Sequence, residues 1–329
     1  MPGNWNRPMK EGRPHIYGPV ASRRLGASLG VDLVPPKTCN YDCIYCQLGR
    51  TSTKTTRMAP YVKADDILAE LKPRLESETR PDYITMAGFG EPTLNSELAG
   101  IISGVKEFTD VPVAVLTNGS LLRGPGVSEA CLMADLVLPS LDAGDEETFQ
   151  RVNRPCPGLH LSDVVEGIAG FRKEYHGTIW LEVMLLEDLN SNDTSIKRIG
   201  KLIEDISPDE VHLNTVLRPP AEPFARSVPE KRLEEIVSIL RPHASLLREV
   251  MRDEGEPAAG PIDERELLAL IERRPCTRGQ IANTFNTNEI EALKVLSRLV
   301  AGNRVVSELA GGEVFYRVLP PAFDDRPEE

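Results

Sequence analysis

Three cysteines fall within eight residues, in the run Cys39-Asn40-Tyr41-Asp42-Cys43-Ile44-Tyr45-Cys46, a C-x3-C-x2-C spacing. Three thiolates on one short loop can hold three irons of a cubane cluster, whereas a fully protein-ligated 4Fe–4S cluster takes four. One iron is then left open to a ligand from outside the protein, as a metal-bound cofactor requires. Zinc is the competing reading. Structural zinc sites close with four ligands and commonly repeat a C-x2-C pair. This chain has no second pair, its other cysteines (Cys131, Cys156, Cys276) are scattered, and its five histidines show no ligand spacing. The same scatter argues against a disulfide framework, and thiols in a cytosolic chain stay reduced.

Such a loop needs elements to carry it. Apolar, β-branched runs ending in Gly, Pro, Asn or Asp alternate with amphipathic stretches through most of the chain. The periodicity predicts strands over 28–34, 83–86, 111–116, 136–139, 178–185 and 210–215. Helices are predicted over 65–78, 97–108, 146–152, 162–175, 194–205 and 230–240. Alternating strands and helices imply a parallel sheet, because parallel neighbours need long crossovers. Six units suit an open, partial (β/α)6 barrel, an α/β fold, in residues 1–251. Ligands of parallel α/β folds bind beyond the C-terminal strand ends. Those ends carry the cysteine loop, Gly88-Phe89-Gly90-Glu91-Pro92, Thr117-Asn118-Gly119 and Ser140-Leu141-Asp142, with Glu182 and Asn214 inside later strands.

With an aromatic residue directly before its last cysteine and a preceding strand, the motif resembles the signature of the radical S-adenosylmethionine superfamily, over residues 16–245. The resemblance implies a 4Fe–4S cluster on Cys39, Cys43 and Cys46, with S-adenosyl-L-methionine bound through its amino and carboxylate groups to the open iron. One electron passed to the sulfonium breaks a carbon–sulfur bond, and the resulting 5′-deoxyadenosyl radical takes a hydrogen atom from the substrate. Gly90-Glu91-Pro92 looks like the family's second motif, which hydrogen-bonds the cofactor's amino group; a carboxylate suits an ammonium donor. By the same resemblance Tyr45 lies beside the adenine, and Asn118, Ser140 and Asp142 contact the ribose or the methionine carboxylate, with Glu182 a further contact. The string Gly18-Pro19-Val20, Ser22-Arg23-Arg24-Leu25-Gly26, together with Asn153-Arg154-Pro155 and Asn214 to Pro220, is similar to the wyosine-synthase-related (tRNA-imidazoG37 synthetase-like) group of Fe–S oxidoreductases. Members of that group rebuild a tRNA guanine and hold a second cluster on N-terminal cysteines. Here no cysteine precedes Cys39.

Charge is uneven. The chain carries −12 overall, yet residues 1–60 carry nine Lys/Arg against three Asp/Glu, a local +6 that leaves −18 elsewhere. That balance excludes a general nucleic-acid binder and leaves one segment suited to an anion. Arg23, Arg24, Arg154 and Arg218 are the substrate candidates, since guanidinium forks match carboxylates and phosphates. Residues 252–262 read as a linker, 263–319 as three helices and a hairpin in the order of a winged helix-turn-helix, and 320–329 as a disordered tail. Eight basic and eight acidic side chains in 263–319 leave little surplus to neutralise DNA phosphates. Holding a protein or peptide substrate, or packing on the barrel, fits that module better than DNA binding does, and an RNA substrate recognised by shape is left open. No apolar run approaches the length of a membrane helix and the N-terminal residues lack a secretory core, so the expectation is a cytoplasmic enzyme served by a flavodoxin- or ferredoxin-type electron donor. The alternative reading is an iron–sulfur-sensing, DNA-binding regulator. It leaves Gly90-Glu91-Pro92 and the polar strand ends unexplained.

Overall fold

Strand parity builds the molecule. In the strand Thr178–Leu185, every second residue (Ile179, Leu181, Val183, Leu185) is buried, and those between are half-buried, as a sheet with helices on one face and a lumen on the other requires. The computed structural model describes residues 13–77, 80–124, 126–240, 244–247 and 262–319. It comprises two compact units, Met1–Met251 and Arg252–Glu329.

The first unit begins with β1 (Ile16–Ser22), β2 (Gly26–Asp32), the short pair β3 (Thr38–Cys39) and β4 (Thr53–Lys54), and α1 (Ala64–Ser77). It continues with β5 (Tyr83–Ala87), α2 (Leu98–Phe108), β6 (Val113–Thr117), α3 (Val127–Leu132), β7 (Leu136–Pro139), α4 (Glu146–Val152) and α5 (Leu161–Glu174). Then come β8 (Thr178–Leu185), α6 (Asp193–Ile206), β9 (Glu210–Thr215), α7 (Glu230–Ile239) and β10 (Ala244–Leu246). The sheet order is β1-β2-β5-β6-β7-β8-β9-β10. All strands from β2 to β10 run parallel, and β1 pairs antiparallel on the edge. The order is linear, so the sheet is open, consistent with a partial barrel.

The helices follow from local signals. Asn192 caps α6 by accepting from Ser195 N at 3.0 Å, Ile196, Ile199, Ile203 and Ile206 form its buried stripe, and left-handed Ser207 ends it. The main core lies between helices and sheet and takes the outward strand residues Val113, Val115, Val137, Ile179, Leu181, Val183 and Leu213. A second cluster fills the lumen: Ala114, Leu136 and Leu138 with Leu25 from the β1–β2 turn, and Trp180 against them.

Besides the short pair β3–β4, two strands of the main sheet depart from the six expected. β1 contains Gly18-Pro19, which reads as a turn in sequence; at a sheet edge, with a register shift between Tyr17 and Val20, it is accommodated. β10 adds a seventh parallel strand, and its three residues are too few for alternation to show. The second unit contains α8 (Glu264–Arg273), β11 (Cys276–Thr277), α9 (Arg278–Thr284), α10 (Glu289–Ala301), β12 (Val305–Ala310) and β13 (Glu313–Val318). Its three strands form an antiparallel sheet of order β11-β13-β12. The linker residues 252–261 and the tail 320–329 lie outside the described residues. Among the described residues no helix is long and apolar enough to cross a membrane.

Candidate active site

The cysteine loop leaves the C-terminal end of β2 and is pinned on two sides. On one side it meets the turn after β5. Gly90 bridges to Thr38 and Glu91 N donates to Thr38 O at 3.1 Å. A β-carbon on Gly90 would lie 1.8 Å from that carbonyl oxygen, so only glycine lets the acidic turn approach this closely. On the other side Asp42 N and Ile44 N donate to Asn153 O and Val152 O at 3.1 and 3.0 Å, and Cys156 N donates to Asn40 O at 2.8 Å.

The three thiols line one cavity of about 240 Å³ with Lys37, Gly90, Glu91, Thr117, Asn118, Ser140 and Glu182, and with Leu116 and Leu138 on its apolar wall. The remaining cysteines do not line it. Cys131 is in the core under α3, Cys276 is in the second unit, and Cys156, which its two flanking prolines suggest is an exposed loop thiol, is buried behind Asn40. Burial pushes all three loop thiols up, with Glu91 adding to the rise at Cys39 and Asp142 to that at Cys43. Thiolates in such surroundings need a bound cation to offset their charge. Among the described residues no three His, Cys, Asp or Glu side chains are gathered tightly enough for a single ion. Three soft sulfur donors spread around an open space fit a multi-iron cluster better than one tetrahedral zinc.

Glu91 is the anionic centre of the opposite wall. It is 2% exposed. Its Oε1 accepts from Thr93 N at 3.1 Å and from the Thr93 and Thr117 hydroxyls at 2.6 Å; its Oε2 accepts from Asn118 N at 2.8 Å. Burial raises its pKa against those donors. Asp142 does not face the cavity. It accepts from the Tyr45 hydroxyl, from Asn153 Nδ2 at 2.7 Å and from Met184 N at 2.9 Å, and burial raises its pKa. Tyr45 therefore sits beneath the loop on Asp142, outside the cavity lining.

The arginines are engaged within the protein. Arg24 pairs with Glu182, and Asn214 Nδ2 donates to the other Glu182 oxygen at 3.0 Å. Burial, then Arg23, pulls the Arg24 guanidinium down to about 10. Arg23 Nη2 donates to Asn214 Oδ1 at 3.2 Å. These contacts tie the β1–β2 turn across the lumen to β8 and β9. Arg154, at a left-handed φ of 45°, donates to Glu222 Oε1 at 2.6 Å, and Arg50 reaches the same oxygen at 2.7 Å. Glu222 N donates to Ile44 O at 2.9 Å. This clamp holds the cysteine loop, so Arg154 acts on the loop and does not line the cavity; nor does Arg218. Sequence reasoning assigned no role to Lys37 or Glu222, and none to Asn153 beyond its place in the Asn153-Arg154-Pro155 string. The Lys37 cation lowers the Cys46 thiol against the effect of burial, and its position just before the motif was the available signal.

Glu222 tests the clamp. The Arg154 hydrogen bond, with help from Arg50, holds its carboxyl below the usual range. A depressed folded pKa contributes stability above the ordinary value of about 4.3 and loses it as pH falls through the folded value. Glu222→Gln should therefore melt below wild type at pH 7, with the gap closing in acid; thermal melts across pH check this, and a gap that persists in acid counts against the clamp.

A family model described as the radical SAM superfamily matches residues 33–198. The chain is 38% identical over 305 residues to a protein named GTPase Obg from Brachyspira hyodysenteriae, covering 92% of this chain and 45% of that protein. It is 34% identical over 310 residues to a UPF0026 protein of Helicobacter pylori strain J99, covering 93% and 98%. The chain thus spans under half the length of the first relative and nearly all of the second. Among solved structures it is similar to a radical SAM methyltransferase from Sphaerobacter thermophilus, over 67% of this chain and 65% of that one, at 18% identity and a TM-score of 0.48.

Proposed function

The chain belongs to the radical SAM superfamily, and on that premise we propose that it holds a 4Fe–4S cluster through Cys39, Cys43 and Cys46 and cleaves S-adenosyl-L-methionine reductively to modify an anionic or macromolecular substrate. The observation that carries this reading is that three thiols and the buried Glu91 carboxylate line one cavity. When bound, cluster and sulfonium cofactor supply a one-electron cleavage that begins hydrogen abstraction. The residues do the rest. Glu91 Oε2, which takes a single hydrogen bond from Asn118 N, offers its remaining lone pairs to the cofactor's ammonium. Ser140 and Glu182 present polar groups from the neighbouring strands, and Arg24 and Asn214 hold Glu182 in place. Leu116 and Leu138 keep water off the reacting region.

The +6 carried by residues 1–60 supports an anionic substrate. Similarity to the wyosine-synthase-related group supports RNA as one such substrate. The second unit's element order, three helices with a closing hairpin, supports a winged helix-turn-helix, and its even charge favours holding a peptide over duplex DNA, with RNA recognised by shape as the other reading. A flavodoxin- or ferredoxin-type carrier in the cytoplasm is the proposed electron source. Anaerobic reconstitution, then incubation with S-adenosylmethionine and dithionite, tests the reading. We expect 5′-deoxyadenosine in amounts that scale with bound iron. A chain that assembles the cluster and never cleaves the cofactor is instead the sensor-type regulator.

A further inference from the structure

Two side-chain amides point at the thiols, one at each of two different cysteines. Asn118 Nδ2 donates to Asn40 Oδ1 at 2.6 Å and lies 3.8 Å from Cys39 Sγ. Asn153 Nδ2 donates to Asp142 Oδ2 at 2.7 Å and lies 3.6 Å from Cys43 Sγ. An amide nitrogen carries two hydrogens. In each residue one is taken by an oxygen and the other faces sulfur. The orientations are chemically determined. Turning Asn153 over would set its oxygen against the Asp142 carboxylate. Turning Asn118 over would set its NH2 against Ser120 N, which now donates to Asn118 Oδ1 at 3.0 Å, and its oxygen against Asn40 Oδ1.

We propose that Asn118 and Asn153 are positioning residues that donate N–H hydrogen bonds to the cluster thiolates of Cys39 and Cys43 and raise the cluster's reduction potential, with Ser120 and Asp142 as the posts that aim them. The inference rests on the cluster reading above. Adding one electron from an external one-electron reductant takes the cluster from its 2+ to its 1+ core and spreads negative charge onto the sulfurs. A donor at sulfur stabilises the more negative state, so the potential rises. The proposal accounts for two features the catalytic reading leaves over. Asp142 is a buried carboxylate that does not line the thiol cavity. Asn153 belongs to the Asn153-Arg154-Pro155 motif, yet lies beneath the loop.

The test uses the full chain, anaerobically reconstituted, with iron and sulfide measured per chain and the midpoint read by EPR-monitored titration without S-adenosylmethionine. Asn118→Leu and Asn153→Leu should each keep the wild-type iron content and shift the midpoint to more negative potential, with a larger shift in the double variant. Cys131→Ala, a core change outside this hydrogen-bond network, should titrate near wild type. Unmoved midpoints at full iron content overturn the proposal, as does an equal shift in Cys131→Ala, which would mark a general structural effect. If the leucine variants lose iron, wild type carrying 15N only at asparagine side-chain amides decides: pulsed EPR of the reduced cluster should show 15N couplings, and their absence overturns the proposal. Failure of wild type to take up any cluster would sink the functional reading itself, a different outcome from unmoved midpoints.

Discussion

Cys43→Ala is expected to abolish 5′-deoxyadenosine formation, while Cys131→Ala should leave it intact. Cys43 is half-buried and Cys131 fully buried, and their neighbours separate them further. Cys43 Sγ lies on the cavity, 3.6 Å from the Asn153 amide, and Asp142 raises its pKa further. Removing that sulfur leaves two donors, Cys39 and Cys46, for a cluster that needs three. No described residue nearby offers a replacement sulfur, because Cys156 is turned behind Asn40 and Cys131 packs in the core. Cys131 sits in α3, 0% exposed among apolar side chains, and its truncation removes little more than one sulfur of volume, a cost of about 1 kcal/mol. Iron content, product formation and thermal melting of the two variants check this together. Loss of product in both at full iron content would mean that the ligands are misassigned.

Glu91 carries the second large effect. Glu91→Leu leaves the buried Thr93 N and Asn118 N without their acceptor. An unsatisfied buried donor costs about 1–3 kcal/mol, so two cost a large share of a typical 5–15 kcal/mol stability, and the variant should fold poorly. Glu91→Gln separates stability from chemistry. Its carbonyl can still accept from the Thr93 side, so the chain folds with a lower melting temperature. The negative charge for an ammonium is gone, and S-adenosylmethionine binding should weaken by about tenfold or more, since charge-assisted hydrogen bonds are roughly twice as strong as neutral ones. Equilibrium binding beside thermal melts tells the two effects apart; wild-type affinity in Glu91→Gln would remove Glu91 from the cofactor's site. The pH dependence has a defined sign. Burial raises the Glu91 pKa, so between the ordinary carboxylate value and the raised one the folded state binds more protons than the unfolded state. This contribution makes the cofactor-free chain more stable as pH falls through that window. Glu91→Gln should lose that slope.

Sequence patterning alone determined the βα alternation, because apolar side chains repeating at helix and strand spacings leave little choice of face. It also located the three thiols and the acidic turn after β5, because C-x3-C-x2-C and Gly90-Glu91-Pro92 are local strings whose chemistry does not depend on the rest of the chain. Their meeting in one cavity followed from the rule that strand ends converge. The roles of the long polar side chains were not legible. Arg24 and Glu182 are 158 residues apart, and Tyr45 and Asp142 are 97 apart. Nothing in local spacing tells a guanidinium aimed at a ligand from one aimed at a distant carboxylate. The tertiary structure decided that Arg154 clamps the cysteine loop through Glu222, that Asp142 is a post beneath Cys43, and that Asn118 and Asn153 turn their N–H groups toward sulfur. Backbone periodicity is written into neighbouring residues, whereas the partner of a buried charge or amide is chosen by the whole packed chain, where an unpaired polar group costs too much to leave unmatched.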